Sequence, residues 1–102
     1  MRFGKVIGKV VLSDCDPTYR AGRFLLVSPM DKARIRGEQP DQPLSGIADV
    51  VVYDNLGAGA GDTIGFVEGG EAAAVFDQPT PVDAFNCALI DEISYQGQTR
   101  TL

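Results

Sequence analysis

The chain has 102 residues, with 14 acidic and 9 basic side chains, a net charge of −5, two cysteines and no histidine. That length makes one domain, able to bury roughly two thirds of its unfolded surface without a metal or a disulfide. The missing histidine removes Cys/His zinc sets and Ser/His or Cys/His catalytic pairs, and the acidic balance opposes a broad phosphate-binding surface, which needs clustered Lys and Arg.

Arg2 to Leu12 places Phe3, Val6 or Ile7, Val10 and Leu12 in a β-branched run, with Lys5 and Lys9 available for the wet face. It reads as a first strand, bent at Gly4 and Gly8 so that it can serve two parts of a small barrel. The same lysines and Gly8 interrupt any secretory segment, and no apolar run is long enough to span a bilayer, so the expected location is the cytoplasm. Ser13 to Ala21 is a polar loop around Asp16-Pro17 and holds Cys15. Gly22 to Met30 is a second strand with a continuous apolar centre.

From Asp31 to Ser45 the chain turns charged and proline-bearing, a loop in which Lys32, Arg34 and Arg36 cluster among Asp31, Glu38 and Asp41. A basic trio of this kind is a solvated face or an electrostatic contact with a partner protein. Gly46 to Asp54 is the third strand, the most β-prone of the chain through Val50, Val51, Val52 and Tyr53.

It leads directly into Asp54-Asn55-Leu56-Gly57-Ala58-Gly59-Ala60-Gly61-Asp62, with three glycines at alternate positions. Thr63 to Glu68 returns as a fourth strand, so the glycine block is a strand-to-strand loop. Glu71 to Phe76 has room for about two helical turns at most before Asp77-Gln78-Pro79-Thr80-Pro81 stops it. Asp83 to Tyr95 is a last strand, with Cys87 buried in it and Cys87, Leu89 and Ile93 on one face. Residues 96–102 form a polar tail beyond a single domain of residues 1–95. Five short strands with one small helix before the last predict an all-β, five-stranded Greek-key barrel of the OB type.

The glycine loop sets the functional question, because alternating Gly and Ala allows tight bending or close backbone approach and leaves amide N–H groups to be satisfied. A phosphate cradle would need the glycines to open a helix, and the P-loop adds a Lys; here a strand follows and Asp62 would repel the anion. A calcium loop built on Asp54, Asn55 and Asp62 lacks the intermediate carboxylates. Adjacent carboxylates such as Asp91-Glu92 point to opposite faces of a strand and cannot share a substrate. Single-stranded nucleic acid would need aromatic platforms among basic residues, whereas the eight aromatics are scattered one to a segment. No catalytic residue, metal or cofactor is therefore expected, and an OB-type binding module for nucleic acid or a small ligand is the alternative function.

Close approach of backbones remains, and the residues that carry it resemble a known family. Lys5-Val6-Ile7-Gly8-Lys9-Val10, Phe24-Leu25-Leu26-Val27, the block from Asp54 to Asp62, Pro81-Val82-Asp83 and Ala88-Leu89-Ile90-Asp91-Glu92-Ile93 follow in order the pattern of the EutN/CcmL family, the pentameric vertex proteins of bacterial microcompartment shells. The resemblance implies an OB-like barrel assembled as a homopentamer, capping corners of a shell otherwise tiled by hexameric proteins, without enzymatic activity. It implies that the loop from Asp54 to Asp62 lies toward the fivefold axis, where Ala58 and Ala60 are the largest residues with room and five copies of Asp62 favour cations. A tight hairpin away from any axis, and closure by six copies, stay open. Lys32, Arg34 and Arg36 become the candidate contact with hexamers. The chain departs from the family at Gly70-Glu71-Ala72-Ala73, which lacks the usual Arg, and in the length of the Asp31 to Ser45 loop.

Overall fold

The computed structural model describes residues 1–19, 22–31, 35 and 48–102. Lys32, Arg34 and Arg36 lie outside the described residues. Five strands close a barrel: β1 (Arg2–Val10), β2 (Arg23–Pro29), β3 (Val50–Asp54), β4 (Thr63–Glu68) and β5 (Ala84–Leu89), hydrogen-bonded in the order β1-β2-β3-β5-β4. The short helix α1 (Gly70–Ala73) links β4 to β5, and β6 (Glu92–Tyr95) with β7 (Gln98–Thr101) forms a separate two-stranded sheet. Among the described residues no helix is long and apolar enough to cross a membrane.

The OB-type barrel expected from the sequence is present, and β1 is the strand that closes it. Its first half pairs with β4, from Arg2↔Phe66 to Lys5↔Thr63, while nearly its whole length pairs with β2. Between Val6 and Gly8 the register against β2 slips, which coils the strand as a bulge does. The extra residue is Ile7, and a Cβ on Gly8 would meet only Leu26 Cβ at an ordinary 3.8 Å, so the bend expected at Gly8 falls beside it and does not depend on a glycine there. Gly4 serves differently: a Cβ there would collide with Val27 Cγ1 and lie 3.1 Å from both Phe66 Cε1 and the Ser28 carbonyl oxygen. Val27 and Phe66 are fully buried, and valine is stiff at χ1, so neither yields cheaply. Gly4→Ala is expected to lower unfolding free energy by about 1–3 kcal/mol, measurable by urea titration.

Strand alternation sends Val6, Leu25, Val27, Val52, Ile64 and Phe66 into the barrel, where Ala58 and Ala84 complete the core. Residues of opposite parity build a second cluster on the outer wall. Register places Phe24 opposite Tyr53, and Tyr53 opposite Phe85 across the parallel β3–β5 pairing. The Tyr53 ring accordingly sits 5.4 Å from Phe24 and 6.1 Å from Phe85, and Phe76 beyond α1 approaches it edge-on at 5.2 Å. Five of the eight aromatics, Tyr19, Phe24, Tyr53, Phe76 and Phe85, scattered along the sequence, are brought into one cluster that packs under α1 with Ala72 and Val82.

Three expectations need correction. Cys87 lies in β5 but is exposed, because the inward positions of that strand go to Ala84 and Asn86. The register of β5 against β4 slips between Gly65 and Phe66, which sets Leu89 opposite the core residue Ile64 and not on the face of Cys87, and Ile93 belongs to a different strand, because the last strand is interrupted at Ile90 and Asp91. Residues 96–102 are not a pendant tail: Gln96 and Gly97, with φ of 51° and 82°, turn the chain back so that β7 pairs with β6. Two central residues at positive φ are what a two-residue hairpin turn of matching twist requires. The helix is a single turn, Gly70–Ala73, within the two turns that the sequence allows.

Candidate functional site: the glycine loop

Asp54 organises the loop. It ends β3 and is 1% exposed. One carboxylate oxygen accepts the Leu56 N–H at 3.1 Å, an Asx turn, and the Asn86 side-chain amide at 2.8 Å. The other accepts the N–H groups of Gly57 and Ala58 at 3.2 and 3.0 Å and pairs with the Arg23 guanidinium at 3.2 Å. Arg23 also donates to the Ala58 carbonyl, so one guanidinium ties β2 to both the anchor and the loop. Burial pushes the Asp54 carboxyl up, but the bonds from Asn86, Leu56, Arg23 and Ala58 outweigh it and hold the group below its ordinary value.

The far end is tied separately. Asp62 accepts the Gly59 N–H at 2.8 Å, while its own N–H donates to the Gly59 carbonyl at 3.0 Å. Gly61 N–H donates to the Val6 carbonyl, and Val6 N–H to the Asp62 carbonyl, each at 2.9 Å, which stitches the loop to β1. Six of the loop amides are thus satisfied within the chain: those of Leu56, Gly57 and Ala58 by Asp54, that of Gly59 by Asp62, that of Gly61 by β1 and that of Asp62 by the Gly59 carbonyl. That removes the phosphate cradle on positive grounds, since the anion's place is taken by Asp54.

The three glycines are not equivalent. Gly57 and Gly61 have φ of 87° and 95°, in the left-handed region, and the fold of the subunit requires them. Gly59 has no such φ, and a Cβ on it would meet nothing within 4 Å. Ala58 is fully buried in the barrel core, so its small size answers to packing with Val6 and Ile64, not to crowding outside the subunit. Asn55, Leu56, Ala60 and Asp62 are exposed. Sequence alone offers no signal for Arg23 and a single one for Asn86, a polar residue near the centre of an otherwise apolar strand.

The model of the family described as "Ethanolamine utilisation protein EutN/carboxysome" matches residues 1–91. The chain is 32% identical over 95 residues to the bacterial microcompartment shell vertex protein PduN of Salmonella typhimurium, an overlap of 92% of this chain and 99% of PduN. To the carboxysome shell vertex protein CcmL of Synechococcus elongatus it is 33% identical over 100 residues, covering 97% of this chain and 92% of that protein. The solved structure of Gloeobacter violaceus CcmL superposes with a TM-score of 0.78 at 32% identity, over 97% of this chain and 94% of that one. With the D-N-x-G-A-G-x-G-D loop held on an OB-type barrel and these similarities running nearly end to end, the chain belongs to the EutN/CcmL family.

Proposed function

We propose that the protein is a structural component of a bacterial microcompartment shell, assembling as a homopentamer that caps a vertex and borders hexameric shell proteins. It performs no chemical step in that role. The observation that carries the reading, beside membership of a family whose relatives are named shell vertex proteins, is Gly59: the subunit gives no reason for a glycine there. Convergence of copies at a symmetry axis supplies one. In this reading the loop from Asp54 to Asp62 faces the fivefold axis, with Gly59, Ala60 and Asp62 toward the opening and Ala58 turned into its own barrel.

Fivefold units are a geometric necessity for such a shell, because a sheet of hexagonal tiles is flat and closes only where five replace six. A head-to-tail interface whose rotation closes after five copies provides one. Lys32, Arg34 and Arg36 are proposed as the contact with hexamers, on the ground of their shared charge. An OB-type module for nucleic acid is disfavoured by the fate of six of the eight aromatics, five packed on one another around Tyr53 and Phe66 buried in the barrel, where none serves as a stacking platform.

Native mass spectrometry tests the assembly directly. A mass of five subunits, persisting across micromolar concentrations, is the expected result; a monomer, or a ring of six, overturns the proposal.

A further inference from the structure

Beyond its midpoint β1 is covered on one side only. Its first half lies between β2 and β4, and Val6 makes the last bonds on the β4 side, donating to the Asp62 carbonyl and accepting from the Gly61 N–H. The extra residue at Ile7 shifts the alternation, so that Gly8 and Val10 direct their peptide groups to Leu26 and Phe24 of β2. Lys9, between them, directs both its N–H and its carbonyl away from β2, and no backbone bond outside the ladder reaches it among the described residues. Val11 follows with the same outward parity and is 81% exposed, with Leu12 beside it at 43%. The subunit therefore has a bare strand edge with apolar side chains at its end, and it begins where the glycine loop is stitched to β1. Edges of this kind are templates for pairing with another chain.

We propose that the edge from Lys9 to Leu12 pairs with an extended segment of a second copy of the chain, an inference that rests on the ring assembly proposed above. Two observations name this occupant. The edge is continuous with the glycine loop through Val6, and a strand leading away from a loop at the axis lies along the flank where neighbouring subunits of a ring meet. Charge points the same way. β1 holds Arg2, Lys5 and Lys9 and no acidic residue, in a chain that carries −5, so a basic edge faces a neighbour that is acidic elsewhere. Lys9 is exposed and has no ion pair among the described residues, which leaves its charge for that neighbour. A lysine on an edge strand deters indiscriminate pairing; here it selects an acidic partner. Main-chain bonds at Lys9 and Val11 then supply affinity, and the Val11 and Leu12 side chains supply apolar area.

The test combines amide exchange in the wild-type ring with native mass and denaturant titration of two full-length variants. In the ring the Lys9 N–H is expected to exchange at least about a hundredfold more slowly than an unprotected amide. Lys9→Pro removes that N–H without touching the β1–β2 ladder, a change that an edge strand tolerates. The subunit is expected to keep its denaturation midpoint while the ring dissociates at about tenfold higher concentration. Lys9→Glu keeps the N–H and reverses the charge, and is expected to weaken the ring by a similar factor. An unprotected Lys9 amide in an intact ring overturns the inference and leaves the pentamer standing, since the lysine would then only shield a solvated edge. Rings of unchanged affinity in both variants do the same. A lowered midpoint in Lys9→Pro also overturns it, because the N–H would then belong to the subunit's own ladder. A wild-type chain that stays monomeric fails at the earlier step, the ring itself, and takes this inference with it.

Discussion

Asp54→Ala is expected to lower the unfolding free energy by about 2–5 kcal/mol, a large share of the roughly 5–15 kcal/mol typical of a domain. The substitution strands two donors that water cannot reach, the Asn86 side-chain amide and the Ala58 N–H, at about 1–3 kcal/mol each. Arg23, Leu56 and Gly57 are only partly buried and can turn to solvent, so they add less. For a domain of this size the melting temperature should fall by about 10–30 °C in differential scanning calorimetry. A fall of a degree or two would mean that the loop is held by something other than its anchor.

The same residue predicts a pH dependence with a definite sign. The folded-state pKa of Asp54 lies below its ordinary value, so its charged form stabilises the fold at every pH above about 4, the unfolded value. That contribution is lost as pH falls from there through the lower folded value. Asp16 is also lowered, by the hydroxyl and then the amide of Thr18, and contributes a slope in the same direction. Subtracting the pH–stability curve of Asp54→Asn from that of the wild type isolates Asp54, because Asp16 is present in both. The difference should be flat above pH 5 and shrink below pH 4.

Gly59→Val is expected to abolish the ring at low micromolar concentration while changing subunit stability by less than about 0.5 kcal/mol. The subunit has open space at that Cβ and an ordinary φ, so nothing inside it resists a side chain. Five isopropyl groups brought to one axis have no such freedom. Gly57→Val provides the contrast, since φ of 87° is strained for a β-branched residue and should cost the subunit about 1–2 kcal/mol. Two glycines two residues apart would then fail in different assays, one in assembly and one in folding. If Gly59→Val assembles as the wild type does, the loop is not at the axis.

The barrel was legible because its signals are local. β4 begins and ends where the run from Thr63 to Glu68 does, between a glycine loop and Gly69-Gly70, and the β-branched stretch before Asp54 is β3. What escaped the sequence depends on register, which no local pattern fixes. The aromatics converge only because Phe24, Tyr53 and Phe85 occupy neighbouring positions across three strands. Asn86 points inward where an apolar pattern would have placed Cys87, and the reason is a buried carboxylate 32 positions earlier. Gln96-Gly97 carries a weak turn signal, because Gln is an uncommon residue at positive φ. Within the loop, composition alone made three glycines look alike; only their backbone angles separate two that shape the subunit from one that does not.

The internal satisfaction of the glycine loop has a consequence for how fast and how tightly copies associate. A loop of nine residues that had to be ordered on docking would lose conformational entropy at each interface, subtracting from whatever the contacts supply. Here Asp54, Asp62 and Val6 have already fixed it, so the subunit arrives at its neighbours preorganised. Ring closure can then proceed by rigid docking, with little of the interface free energy diverted to folding a segment on contact.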